Sequence, residues 1–238
     1  MKTNHIAKLL LLPLLFAACQ EVVVNKYEDN PCLYFSRADS LAYSFYFEES
    51  SRLRDTLWIE VCLSGLPRPE ARPLPIVQIP AGDNNAVAGQ HYVSLDDPEI
   101  KDLVILPPGA AKVNIPVILL RDPTLKTAGR RLLLDIATNE HFGAGIQGYT
   151  RLLVHFSDLT EQPANWTSVW RLVFGDWGAV KMRFIIDYVG VSNFDVPAMT
   201  GDTRDYLKAR AKQKLAEYET ANGPLYEADN ITRVRFPN

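Results

Sequence analysis

The residue types that carry most enzyme chemistry are scattered along this 238-residue chain. His91, His141 and His155 lie near no second histidine or cysteine, so none has a partner at metal-ligand spacing. H-E-x-x-H, paired C-x-x-C and G-x-S-x-G, which would build a zinc centre or a nucleophile elbow, do not occur. Cys62 sits inside an alternating apolar run with no histidine nearby to take its proton, which argues against a nucleophile. His155, beside Leu153 and Phe156, reads as a histidine at the core edge. Glu48-Glu49 and Asp96-Asp97 could hydrolyse a glycoside only if folding brought two carboxyls within about 5–10 Å, and their spacing does not require it. The chain therefore reads as a non-enzyme, with no catalytic residues, no metal site and no cofactor.

Binding chemistry has better candidates. Aromatic rings stack on sugar faces and anchor protein partners. Trp166, Trp170 and Trp177 recur at helical spacing, which favours packing. Trp58 stands opposite Leu57 and Ile59 in an alternating segment. Its ring is either exposed, as a ligand-binding platform, or covered by the C-terminal part. Cys32 and Cys62 could form a disulfide closing a loop of about 30 residues, worth about 3–4 kcal/mol on the chain-entropy model, or stay as two free thiols.

Those candidates must be positioned, and the first positioning device is at the start of the chain. Lys2 and Lys8 precede an apolar run over residues 9–16, which Ala17 and Ala18 end. This is the layout of an export signal, and the run is too short to span a bilayer. Cys19 follows the small pair directly, as in the bacterial lipobox, where that cysteine receives diacylglycerol. Residues 1–18 thus read as a lipoprotein signal peptide, Cys19 as the lipid attachment site and residues 19–30 as a tether. Acyl chains contribute about 0.8 kcal/mol per buried CH₂, so two or three anchor the chain firmly. Removing the two leader lysines, with no acids among residues 1–18, takes the formal charge from −3 to −5. A mildly acidic chain without basic blocks argues against nucleic acid and against electrostatic membrane binding.

From residue 31 to about 160 the period is two. Leu41, Tyr43, Phe45 and Phe47 alternate, as do Leu57, Ile59, Val61 and Leu63, then Leu132, Leu134 and Ile136. Residues 72–79 read as an edge strand, since Pro73 and Pro75 remove donors. Residues 91–95 form a short strand. Residues 102–106 and 112–121 form a hairpin across Pro107-Pro108-Gly109, and residues 149–156 the last strand. Seven or eight strands with short turns read as an immunoglobulin-like β-sandwich. After Pro163 the period changes to three and four. Residues 166–177 read as helix, broken or kinked by glycines, and residues 179–189 fit helix or strand, with helix preferred. Residues 200–221 form the longest helix, capped by Asp202 or Thr203 and ended by Gly223-Pro224. Residues 231–236 read as a closing strand. The chain is thus mainly β, with residues 161–238 a small α-helical unit packed on the sandwich.

The segment Ala86-Val87-Ala88-Gly89-Gln90-His91-Tyr92-Val93 is similar to the A-x-x-G-x-D-Y stretch of Calx-β domains, and the strand ending in Leu120-Arg121-Asp122 fits them too. Calx-β calcium sites need a cluster of carboxylates. Here His91 replaces the family's aspartate and only Asp83 and Asp122 are placed near such an end, so no calcium is expected. The lipobox, Ala88-Gly89-x-x-Tyr92, Ile115-Pro116-Val117-x-Leu119-x-Arg121, Pro163-x-x-Trp166 and Lys181-x-x-Phe184 together resemble a family of uncharacterised surface lipoproteins of Bacteroidota. That resemblance implies an outer-membrane, lipid-anchored, cell-surface protein that accompanies a SusC/SusD-like transporter and other surface lipoproteins. It implies an accessory role in capturing glycans or peptides, with no catalytic residues to carry over. It also makes the triplets at Ser40 and Thr56 look like O-glycosylation sites, Ser40 the better. An independent glycan-binding module and a structural or adhesive surface protein are the rival readings.

Overall fold

Strand β3 (Arg54–Ser64) shows why the alternating segments become sheet. Ile59, Val61 and Leu63 are buried, while Trp58 is exposed on the opposite face. Successive strand residues point to opposite faces, so this spacing buries one face only. The computed structural model describes residues 30–237. The leader, Cys19 and most of the tether lie outside the described residues.

Two larger sheets carry most of the β part, beside a two-stranded one. β1 (Cys32–Phe35), β3 and β7 (Lys112–Leu120) form one, antiparallel throughout. β2 (Leu41–Ser44), β9 (Arg151–Ser157), β8 (Arg130–Ile136) and β5 (Ile76–Ile79) form the other, with β2 parallel to β9. The inward residues of both sheets share one core. Leu33, Phe35, Ile59 and Val117 come from the first sheet, and Leu132, Leu134, Val154 and Phe156 from the second. Pro116 sits opposite Trp58 in β7. β7 is the last strand of its sheet, so the missing proline N–H need not break a ladder on both sides.

The C-terminal part is helical and has its own core. α1 begins as a π turn, Trp166–Trp170, and runs into the α turn Arg171–Phe174. α2 begins as α-helix, Ala179–Phe184, and ends as a second π turn, Ile185–Val189. α3 is the long helix Gly201–Asn222. Gly175 separates α1 from α2 at φ 78°, a left-handed conformation that L side chains rarely adopt. Trp166 and Trp170 are buried, and both indole N–H groups are satisfied. Trp166 Nε1 donates to Gly175 O at 3.1 Å and Trp170 Nε1 to Phe194 O at 2.9 Å. The Trp170 and Phe174 rings lie parallel at 5.8 Å. Lys181, also buried, donates to Phe174 O and Asp176 O and so caps the end of α1.

Several expected elements change. The alternation through Phe47 stops as strand at Ser44, and Phe45–Phe47 is a 3₁₀ turn. The reason is packing: Phe45 enters the core between the sheets, while its neighbour Tyr46 enters the helical core. A strand would send only alternate residues inward. Residues 72–79 divide into β4 (Arg72–Pro73) and β5, which is indeed an edge strand. The turn at Pro107 forms, with Ala110 N donating to Pro107 O, but it does not join a hairpin ladder. β6 (Ile105–Leu106) pairs with β4, and β7 pairs with β3 over a far longer register. Residues 91–95 and 231–236 supply only isolated bridges, Tyr92 to Ala88 and Leu119, and Arg233 to Tyr226. Thr200, rather than Asp202 or Thr203, caps α3 by accepting from Thr203 N.

Of the two possibilities for Cys32 and Cys62, a disulfide or two free thiols, the structure has the free thiols. β1 and β3 are in a register that sets Cys32 opposite Ser64 and Cys62 opposite Tyr34. The cysteines are therefore diagonal neighbours, a relation that spans about 7–8 Å. A disulfide needs Cα atoms within about 6.8 Å.

Candidate functional site

Helix α2 carries three side chains to the meeting point of sheets and helices, Arg183 from its α-helical part and Asp187 and Tyr188 from the π turn that ends it. Arg183, Asp187 and Tyr188 line a cleft of about 480 Å³ there. Arg183 and Asp187 are one helical step of four apart and face the loop that follows the Phe45–Phe47 turn. Arg183 donates to Glu48 O at 2.7 Å and to Tyr46 O. Asp187 accepts from Ser50 N at 2.7 Å and Ser50 Oγ at 2.6 Å. These bonds fix one wall of the cleft to the other. Burial lowers the Arg183 pKa, with Asp187 opposing that shift. A guanidinium remains charged in any case.

The sheet side contributes a second ion pair. Arg121, just after β7, donates from Nη2 to Asp158 Oδ1 at 2.8 Å and from Nε to Oδ2 at 3.0 Å. The Arg121 and Asp158 side chains are only 9% and 3% exposed. The fork geometry of this bond and its burial make it a fixed strut. Arg121 also donates to Glu49 O and lies over the Phe45 ring. Lys126, at the end of the 3₁₀ turn Pro123–Lys126, is the remaining cation of the lining. It is exposed, and no carboxylate among the described residues pairs with it.

The apolar wall is aromatic. Tyr188 is 48% exposed, stacks on Phe184 at 5.0 Å and meets Tyr218 of α3 edge-on at 5.2 Å. Phe184 covers one face of the Tyr188 ring, Tyr218 packs against it as well, and about half of the residue is left to solvent. Tyr46 closes the base. Burial pushes its phenol up to about 12, and the neutral hydroxyl donates to Ala179 O at 3.4 Å. The cleft thus offers a half-exposed tyrosine ring, fixed charged groups and one unpaired lysine. Both carboxylates are already engaged by donors, so neither is set up for proton transfer.

The residues singled out from sequence lie elsewhere. Trp58 is 62% exposed on the outer face of β3. Glu60, Asn114 and the Lys112–Glu60 ion pair lie along the same face. Ser40 is exposed in the link between β1 and β2, and Thr56 is partly covered in β3. Trp177 is partly covered. His155 is exposed on β9 rather than at the core edge. Among the described residues no cluster of three or more histidines, cysteines or carboxylates could hold a metal ion. His91 is buried. Its Nδ1 accepts from Val87 N at 3.0 Å, and Nε2 lies 3.0 Å from Thr124 Oγ1. Thr124 Oγ1 in turn donates to Asp122. Asp122 also accepts from Thr124 N, so its carboxylate serves as a turn cap.

Sequence reading missed the cleft because its parts are distant in the chain. Ser50 and Asp187 are 137 positions apart. The one local signal was the Arg183/Asp187 pair at helical spacing, followed by Tyr188.

A family model described as a domain of unknown function (DUF4843) matches residues 18–191, a span that ends just after α2. No curated protein matches the chain. Among solved structures, a proposed carbohydrate binding protein from Bacteroides ovatus is similar at 20% identity and TM-score 0.35, covering 54% of this chain and 37% of that one. A second Bacteroides ovatus protein, of unknown function, is similar at 12% identity and TM-score 0.37, covering 55% and 45%. A two-domain protein of unknown function from Bacteroides fragilis follows at 10% identity and TM-score 0.36, covering 67% and 51%. The chain spans about half or less of the length of each.

Proposed function

The chain belongs to the DUF4843 family, and from that premise we propose that it is a non-enzymatic, glycan-binding lipoprotein of the outer membrane. It is anchored through Cys19 and serves as an accessory subunit of a SusC/SusD-type importer. One observation carries the binding role: the half-exposed Tyr188 ring lines a cleft beside fixed hydrogen-bonding groups. Sugars present apolar ring faces and many hydroxyls, and a tyrosine face flanked by polar groups meets both. Engagement of Asp158 and Asp187 by donors supports binding without hydrolysis. The lipobox supports the anchor. The Bacteroides relative described as a proposed carbohydrate binder fits this reading in its description only.

The β part is read as an Ig/Calx-β-type sandwich. Support comes from the strand order, β1-β3-β7 facing β2-β9-β8-β5, with the opening segment of the chain divided between the two sheets.

Binding to an oligosaccharide panel, measured by tyrosine and tryptophan fluorescence, tests the cleft. Tyr188→Ala should weaken the bound glycan up to about tenfold, the scale of one aromatic contact, with the thermal midpoint retained. Wild-type affinity in that variant would sink the cleft reading. Co-purification from native membranes tests the importer role, and a transporter that never carries this lipoprotein would sink it. A second reading, an independent glycan-binding module, is favoured by the 62% exposure of Trp58. It predicts that Trp58→Ala, and not Tyr188→Ala, abolishes binding.

A further inference from the structure

We infer that the cleft takes an acidic oligosaccharide, one sugar ring lying against Tyr188 and its anionic substituent on Lys126. This rests on the glycan-binding reading and names the class of glycan. The cleft lining carries Arg121, Lys126 and Arg183 against Asp158 and Asp187, a surplus of one positive charge on a chain of formal charge −3. That surplus has an address. Arg121 is held by both oxygens of Asp158. Arg183 spends its donors on the carbonyls of Tyr46 and Glu48 and on Ser50 Oγ, and it lies 3.5 Å from Asp187. Lys126 alone keeps its ammonium for a ligand.

The two partly covered arginines bear on what Lys126 can do. Each is held in an ion pair, with Asp158 or with Asp187, so the net positive field of the lining is that of Lys126, set in a wall whose side chains need not reorganise. A cleft walled by aromatic rings and protein backbone has a lower effective dielectric than open solvent, which strengthens attraction to an anion. A neutral sugar would gain the Tyr188 contact and nothing from this field. A carboxylated or sulfated sugar gains both. The anionic group is common to the two sources, and separate probes distinguish them.

The test uses the full lipidated chain in detergent. Titrations with oligogalacturonate, its carboxyl-reduced neutral counterpart and a sulfated carrageenan oligosaccharide are followed by isothermal calorimetry at low and high salt. The expected result is binding of one anionic probe at least about tenfold tighter than the neutral one, weakened by salt. Lys126→Glu, an exposed position where the fold should be unaffected, removes that preference, while Tyr188→Ala weakens both probes. The preferred anionic probe, uronate or sulfate, identifies the substituent. Equal affinity for acidic and neutral oligomers overturns the acidic class and leaves glycan binding standing. Binding to none of the three, with an acidic peptide bound instead, overturns both readings.

Discussion

At the scale of single residues, two buried groups make the fold sensitive to charge. Asp158 holds Arg121 at the edge of the cleft, with both side chains nearly inaccessible. Asp158→Asn keeps the shape and leaves the guanidinium charge uncompensated. Breaking such a pair from one side costs about 3–5 kcal/mol. Urea denaturation should show a loss on that scale, and a change below about 1 kcal/mol would mean that solvent already screens the pair. His91 gives a pH effect. Burial first, and then the Arg130 charge, lower its pKa from the ordinary 6.5, with Asp122 opposing. Its Nδ1 accepts from the Val87 N–H, so a second proton has no room. The folded state therefore binds fewer protons than the unfolded state as pH falls below 6.5, and stability declines in that window. His91→Gln cannot titrate. Its thermal midpoint should fall less than that of the wild type between pH 7 and pH 5, and parallel curves would refute the assignment.

At the scale of elements, α2 is held at its start by a residue from the C-terminal tail. Glu227 accepts from Val180 N at 2.9 Å and from Lys181 N at 3.1 Å, satisfying two donors that a helix start leaves without partners. A negative group there also complements the helix dipole. Gly178 makes this contact possible, because a Cβ at that position would overlap the Glu227 carboxylate. Gly178→Ala should therefore expel the cap and destabilise by about 1–2 kcal/mol. Glu227→Ala should cost a similar amount, and the double variant little more than either. Additive losses would show that the two changes act independently. The cap matters to the cleft, since α2 carries Arg183, Asp187 and Tyr188.

At the scale of the whole molecule, two cores meet through a few residues. Phe45 belongs to one core and Tyr46 to the other. Arg183 and Asp187 tie the helices to the loop after them. The cleft is a product of that junction, and no single element contains it. The proposed anchor belongs to the same scale. A lipid at Cys19 would confine the cleft to a membrane surface and raise its effective concentration beside a partner. Cys19→Ala should leave the thermal midpoint unchanged and move the protein out of the membrane fraction. Uptake that depends on it should then be lost in cells, and full activity of the soluble variant would refute the role of the anchor.

Local periodicity was enough to read the β-rich part, the shift to helix after Pro163 and the end of the long helix at Gly223. These features depend on which residues face the same side of one segment, and spacing records that directly. The outward register of Trp58 was legible for the same reason, although its exposure was not. Tertiary structure decided the rest. Whether Cys32 and Cys62 face each other depends on the pairing of two strands, and it set them diagonally. Whether Phe45 and Tyr46 continue a strand depends on a second core, and that core drew Tyr46 out of the alternation. The cleft depends on Ser50 meeting Asp187 and on Tyr188 meeting Tyr218. Contacts between distant segments follow from how whole faces bury against each other, and no spacing along the chain encodes that match.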